Sequence, residues 1–275
     1  MEKTDIKIVG IGEGGARAVG RMIAQGVGKI PNVDFISVGK DENIMLVSAA
    51  QKNIFLNRDA TTIYKSISTA LRDAKLVIIV AGIGGSAAVQ AIPRVVSYAK
   101  NANAATVAFV DKPFVLESAE RKKNADYCLS SLRDVDTKFI VPTEKFFLFR
   151  LNQSEISLGE IFDVANNIFC QGVKIFLEMT SKSDSHYKWG NAAFGYGFGI
   201  NALEAIKNAA KFPLFEADEI SRAKKIFVRL TGGNDTAAKD FIKGMIQPDT
   251  KLFWRVDNLH GEKISASIIL NRREV

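Results

Sequence analysis

Leu76–Pro93, LVIIVAGIGGSAAVQAIP, runs from an apolar strand pattern into a glycine turn and then, at Ser86, into a helical pattern. That order of parts is the shape of an anion site. A helix start presents free backbone N–H groups and the positive end of the macrodipole, and glycines let phosphates approach the chain closely. The continuation departs from that plan. Where a phosphate cradle carries glycines and hydroxyls, this chain has Ala87, Ala88, Val89 and Gln90, which offer methyls and a β-branched side chain. The stretch therefore reads as a nucleotide-site framework with part of its chemistry removed. It is also the most membrane-like run, but its glycines, Ser86 and Gln90 make it a buried strand and loop rather than a span.

On either side lie further short β-rich runs: Ile6–Gly10, Phe35–Gly39, Thr106–Val110 and Lys138–Val141. None shows period-2 polarity, as expected of strands covered on both faces. Ala16–Gln25, Thr61–Asp73, Ser86–Lys100 and Ser118–Arg133 have the length and apolar spacing of crossover helices. The first half is thus predicted to be an α/β domain with a parallel sheet, which binds ligands at the carboxyl ends of its strands. Both glycine turns of the chain fall there.

From Ser154 to Thr180 apolar residues recur on most sides of a helical wheel, which predicts a long, buried central helix with Ser154 as its N-cap. A polar loop, Ser181–Trp189, follows. The remainder alternates helices (Asn201–Lys211, Ala237–Ile246) with strands (Lys225–Leu230, Lys251–Val256, Lys263–Leu270), a smaller α+β domain. The expected division is a nucleotide-binding-type domain at 1–150, the central helix at 154–180 and the C-terminal domain at 190–275.

The chain has 275 residues, 47% hydrophobic and 24% charged, which suits one or two compact domains and excludes disorder. Cys128 and Cys170 lack a C-x-x-C partner, and His186 and His260 stand alone, so neither a disulfide framework nor a metal site is expected. With no signal peptide, the expected location is the cytoplasm. A net charge of +7 admits a nucleic-acid or anionic-membrane partner, but the lysines are scattered, which disfavours both.

Gly10-Ile11-Gly12-Glu13-Gly14-Gly15 follows a strand and satisfies G-x-G-x-x-G, with Asp41 where a ribose-binding acid would stand. A dinucleotide-dependent enzyme is therefore one reading. Against it, Glu13 puts a carboxylate inside the loop, and such an enzyme leaves the second glycine turn, Gly82 to Gly85, unexplained. No G-K-[ST] follows either run, which excludes a P-loop enzyme.

Two glycine turns on one parallel sheet, followed by a long buried helix and a second domain, resemble the FtsZ/tubulin family. The resemblance runs from about Asp5 to the end in the same order. It is carried by IKIVGIGEGGARAVGRMI, VDFISVGKD, LVIIVAGIGGSAAVQAIPRVV, VAFVDKPFVLESAERKKNADYCLSSL and ISLGEIFDVANNIF. It implies that Gly12, Gly14, Gly15, Gly84, Gly85 and Ser86 are phosphate-loop positions, and that Glu117 is the ribose acid with Arg121 beside it. Phe162 would stack on guanine, and Asn166 is a base-side position.

Other positions depart from the family pattern. Arg17 and Thr143 replace asparagines, and Asn167 stands where an aspartate reads the guanine N–H groups. The signature Gly-Gly-Gly-Thr-Gly-Thr-Gly is here Gly84-Gly85-Ser86-Ala87-Ala88-Val89-Gln90, and Gln51–Ala60 lacks the third glycine loop. After the central helix, the paired catalytic acids give way to Ser181-Lys182-Ser183-Asp184-Ser185-His186-Tyr187-Lys188.

What the resemblance implies is a divergent FtsZ-like cytoskeletal or cell-division protein without GTPase activity, with no catalytic residue and no metal. GTP or GDP is its implied ligand, bound weakly or not at all. The alternative is a working, polymerising GTP hydrolase. The implied partner is another copy or another FtsZ-like subunit. Because the sequence stops just after its last strand, a membrane-anchoring tail peptide is not expected.

Overall fold

The computed structural model describes residues 5–142, 144–145, 158–180, 188–216, 218–233, 236–257 and 264–272. They fall into two compact units, Met1–Lys174 and Ile175–Val275.

The first unit is built on β1 (Ile6–Ile11), β2 (Val33–Gly39), β3 (Lys52–Phe55), β4 (Leu76–Gly82), β5 (Ala105–Asp111) and β6 (Thr137–Val141). They lie in the order β3-β2-β1-β4-β5-β6, all parallel. Between them come α1 (Gly12–Ala24), α2 (Glu42–Val47), α3 (Ala60–Ala70), α4 (Ser86–Asn101) and α5 (Ala119–Ser131), and after β6 comes α6 (Leu158–Thr180). The runs without polar alternation are strands buried on both faces: β1, β4 and β5 are covered almost throughout. Ile63 and Ile67 of α3, Ile92 and Val95 of α4 and Cys128 of α5 join Val9, Ile79 and Val110 in one core. Register fixes where the site can be. Ile11 pairs with Val38 and with Ala81, so β1, β2 and β4 end level and release Gly12, Lys40 and Ile83 on one edge.

Two features differ from the sequence expectation. The first helix starts at Gly12, four residues before Ala16, so most of the G-x-G-x-x-G run is its first turn and not a loop. Glu42–Phe55 holds a six-residue helix and a four-residue edge strand, too short for a periodic signal. The described part of α6 is buried on most sides, as its pattern predicts. The division between the two units, Lys174 to Ile175, falls inside this helix. Ser154 and the loop from Ser181 to Tyr187 lie outside the described residues.

In the second unit β7 (Gly190–Gly199), β8 (Lys225–Thr231), β9 (Lys251–Asp257) and β10 (Ile264–Asn271) take the order β7-β10-β8-β9. β10 is antiparallel to both neighbours, and β8 and β9 are parallel. The helices are α7 (Ala202–Ala210), α8 (Glu219–Arg222) and α9 (Thr236–Met245). The sequence reading did not find β7, because four of its ten residues are glycine, a residue depleted in strands. Packing explains them. A Cβ on Gly197 would stand 2.3 Å from the Ala209 nitrogen, and one on Gly199 2.5 Å from the Ala205 nitrogen. Glycine on alternate residues thus admits the backbone of α7 against the strand. Among the described residues no helix is long and apolar enough to cross a membrane.

Candidate nucleotide-type site at the strand ends

Gly12 leaves β1 with a φ of 72°, the left-handed region that favours glycine, and starts α1 at once. The neighbouring glycines have different reasons to exist. A Cβ on Gly15 would meet the Val80 carbonyl oxygen at 2.5 Å and Gly10 at 2.8 Å, so Gly15 serves helix-on-sheet packing. Gly14 has nothing within 4 Å of where its Cβ would be and faces open space. Glu13, the carboxylate in this turn, accepts from Arg17 at 2.9 Å, an exposed i, i+4 pair.

The second turn belongs to the same place. A Cβ on Gly12 would lie 3.6 Å from the Ala87 methyl in the first turn of α4. Lys40, just beyond β2, donates from Nζ to Ser86 Oγ at 3.3 Å. From the other side Arg121 lies over the turn, its Nε 3.3 Å from a Cβ position on Gly84, and Asn124 Nδ2 donates to the Gly84 carbonyl at 3.1 Å. Gly85 is the N-cap of α4, and neither α1 nor α4 has a side-chain cap. By contrast α3, α5 and α7 are capped by Asp59, Ser118 and Asn201. Neither of these two helix N-termini is closed by its own cap side chain, and Lys40 stands at that of α4, an arrangement that attracts anions.

Glu117 does not stand free as a ribose acid. Its Oε1 accepts from the Phe114 N–H at 2.8 Å, and its Oε2 pairs with Arg121 Nε. This carboxylate holds its own turn and aims Arg121 at the glycines. Gly12, Gly84, Gly85, Ser86, Glu117 and Arg121 are thus brought into one connected cluster. Asn166 is buried, at 5% exposure, on α6, while Asn167 is exposed. That helix is tied to α1 through Arg21, which donates to the Asp163 carbonyl at 3.1 Å. The side chain of Phe162 and the whole of Thr143 lie outside the described residues.

Sequence reading missed Lys40 and Asn124. Lys40 was findable, because ligand-facing residues of parallel sheets follow the strands' carboxyl ends. Asn124 sits mid-helix and gave no signal. As a phosphate site the cluster fits in part. The open Gly14, the uncapped helices and Lys40 suit an anion. The Ala87 methyl beside Gly12 does not, since an apolar group there can donate no hydrogen bond. No group of three His, Cys, Asp or Glu side chains suited to a metal occurs among the described residues.

No family model matches the sequence. Among solved structures, an empty FtsZ dimer of M. jannaschii superposes with a TM-score of 0.81 at 24% identity, covering 98% of this chain and 88% of that one. A CetZ from Methanosaeta thermophila gives 0.80 at 16%, covering 99% and 87%. A CetZ2 from Haloferax volcanii, solved as a GTPγS-bound protofilament, gives 0.76 at 16%, covering 98% and 93%. Nearly the whole of the chain follows these structures at low identity, and it has the FtsZ/tubulin fold.

Proposed function

We propose that the protein is a divergent FtsZ-like cytoskeletal subunit of the cell-division type that does not turn over GTP and holds guanine nucleotide weakly or not at all. The observation that carries this reading is the first turn of α4. There the methyl of Ala87, and not a hydroxyl, stands against Gly12, and Ala88, Val89 and Gln90 follow it. Stabilising a transferred phosphoryl group is almost wholly a matter of placed donors and charge, so loss of such donors is loss of catalysis. Glu117 and Arg121 are in addition engaged with each other. The functional division we propose keeps 1–150 as the nucleotide-binding-type part, 154–180 as the central helix and 190–275 as the C-terminal part.

Similarity to an FtsZ dimer and a CetZ2 protofilament supports association between copies of this chain or with a related subunit. We place it in the cytoplasm, assembling without nucleotide control. The experiment is a calorimetric titration with GTP, GDP and NAD alongside a phosphate-release assay. The expected result is no release above background and no sub-micromolar affinity. Sustained GTP-dependent release would replace this reading with its alternative, an active GTP hydrolase. That alternative draws support from one feature, the ammonium of Lys40 at the uncapped N-terminus of α4. A tight NAD signal would favour the dinucleotide enzyme.

A further inference from the structure

Away from the strand ends described above, a surface cavity of about 470 Å³ opens beside the last turn of α1 and the start of β2. That volume lies within the range of about 300–1,000 Å³ usual for small-molecule sites. Its apolar part is Ile23, Ala49 and the fully buried Phe35. Its polar part is Gln25, Lys29 and Gln51.

The hydrogen bonds of these polar groups decide what they have left to offer. Gln51 Oε1 already accepts from the Phe35 N–H at 2.7 Å. Gln25 Oε1 accepts from Cys170 Sγ at 3.2 Å and from Gln171 Nε2 at 3.5 Å. Both amide oxygens are therefore engaged, which leaves the amide NH₂ groups as donors. Lys29 adds an ammonium, and its stem lies along Gly26, whose missing side chain leaves room for it: a Cβ there would be 3.5 Å from Lys29 Cδ. No acidic side chain is among the described residues lining the cavity. Its wall includes two backbone conformations in the left-handed region, Gly26 at φ 78° and Ala49 at φ 53°. For a non-glycine residue such as Ala49 that conformation costs free energy and recurs at binding sites.

We propose that this cavity is a binding site for a small organic anion, an apolar body carrying one carboxylate, held by Lys29 and the amides of Gln25 and Gln51. The apolar body packs on Ile23 and Ala49, above the floor that Phe35 closes, and the carboxylate meets the Lys29 ammonium and the amide NH₂ groups with no carboxylate among the described lining residues to repel it. The proposal is independent of the nucleotide-type site.

The test uses the full chain and a matched pair of probes, octanoate and 1-octanol, in a calorimetric titration. The expected result is one saturable site for octanoate, with octanol about tenfold weaker or more, since a charge-assisted contact is lost. Lys29→Gln, an exposed and fold-neutral change, should remove the preference for octanoate. Ala24→Trp, which fills the mouth from an exposed helix position, should abolish binding of both, with thermal unfolding showing that each variant is folded. Absence of saturable octanoate binding, equal affinity for the two probes, or a preference that survives Lys29→Gln would overturn the proposal.

Discussion

Gly14 and Gly15 are neighbours in one helix under opposite constraints. Alanine at position 15 would drive its methyl into the Val80 carbonyl, whereas at position 14 it meets nothing. Gly15→Ala is expected to lower stability by about 2–3 kcal/mol through overpacking, and Gly14→Ala to raise it by about 0.5–1 kcal/mol through helix propensity. Urea denaturation of the two variants checks both signs. The cysteines show the same dependence on surroundings. Burial pushes the Cys128 thiol up to about 11, and burial, partly offset by Lys174 and Arg21, does the same for Cys170. Native protein at pH 8 should not react with a thiol reagent, and unfolded protein should react at both positions. Since the folded values exceed the unfolded one, this contribution to stability is complete below about pH 8.5 and is lost as pH rises toward 11. Denaturant midpoints at pH 7 and pH 10 measure it. Glycine positions were legible in the sequence because the turn pattern is local. Their separate reasons were not, because Val80 and Ala87 are distant in the chain.

At the scale of elements, α7 approaches β7 closely where Gly197 and Gly199 face the backbone of Ala205 and Ala209. Gly197→Ala is expected to cost about 3 kcal/mol, since backbone and not a movable side chain blocks the added methyl. A second local device joins the end of α6 to β8 and β9. Arg229 bonds Glu178 and Asp257, each at 2.5 Å, and Arg255 donates to Asp257 at 2.9 Å. Burial opposes ionisation of Asp257, but the two guanidiniums prevail and hold its carboxyl below its ordinary value. With the folded value depressed, the stabilisation is present above about pH 4 and fades as pH falls through that folded value. Arg229→Ala removes this partner from both acids, of which Asp257 keeps Arg255, and should cost about 1–3 kcal/mol, whereas Arg229→Met, keeping the packing, should cost less. Acid titration of wild type and Arg229→Ala, followed by circular dichroism, tests both statements. The βαβ series was legible since long apolar runs and periodic helices are strong signals. The strand β7 was not, because its glycines reflect a partner helix that sequence alone does not place beside it.

For the whole molecule, an assembly without nucleotide control has a simple signature. Pelleting at a fixed protein concentration should be the same with GTP, with GDP and with neither. It should also be nearly insensitive to salt, because an apolar contact between copies is not screened, whereas attraction of a +7 chain to anionic vesicles is. GTP-dependent pelleting, or vesicle binding that vanishes with salt in place of self-association, would count against the proposed function. The order of elements along the chain carried the fold, and the strand-end rule carried the position of the candidate site. What the sequence could not reveal is the bonding inside that site, since Asn124 reaches the Gly84 carbonyl, and Arg121 comes to lie over Gly84, only once the sheet has formed.

The placement of β10 sets a timetable for synthesis. It is made after β7, β8 and β9 yet lies between β7 and β8, so β7 lacks its partner in this unit, and β8 one of its two, until Ile264–Asn271 has left the ribosome. The six strands from Ile6 to Val141 need nothing so late. Nascent chains arrested before Ile264 emerges should therefore show a protease-resistant amino-terminal part and a digestible remainder from about Gly190, with protection spreading once β10 is free.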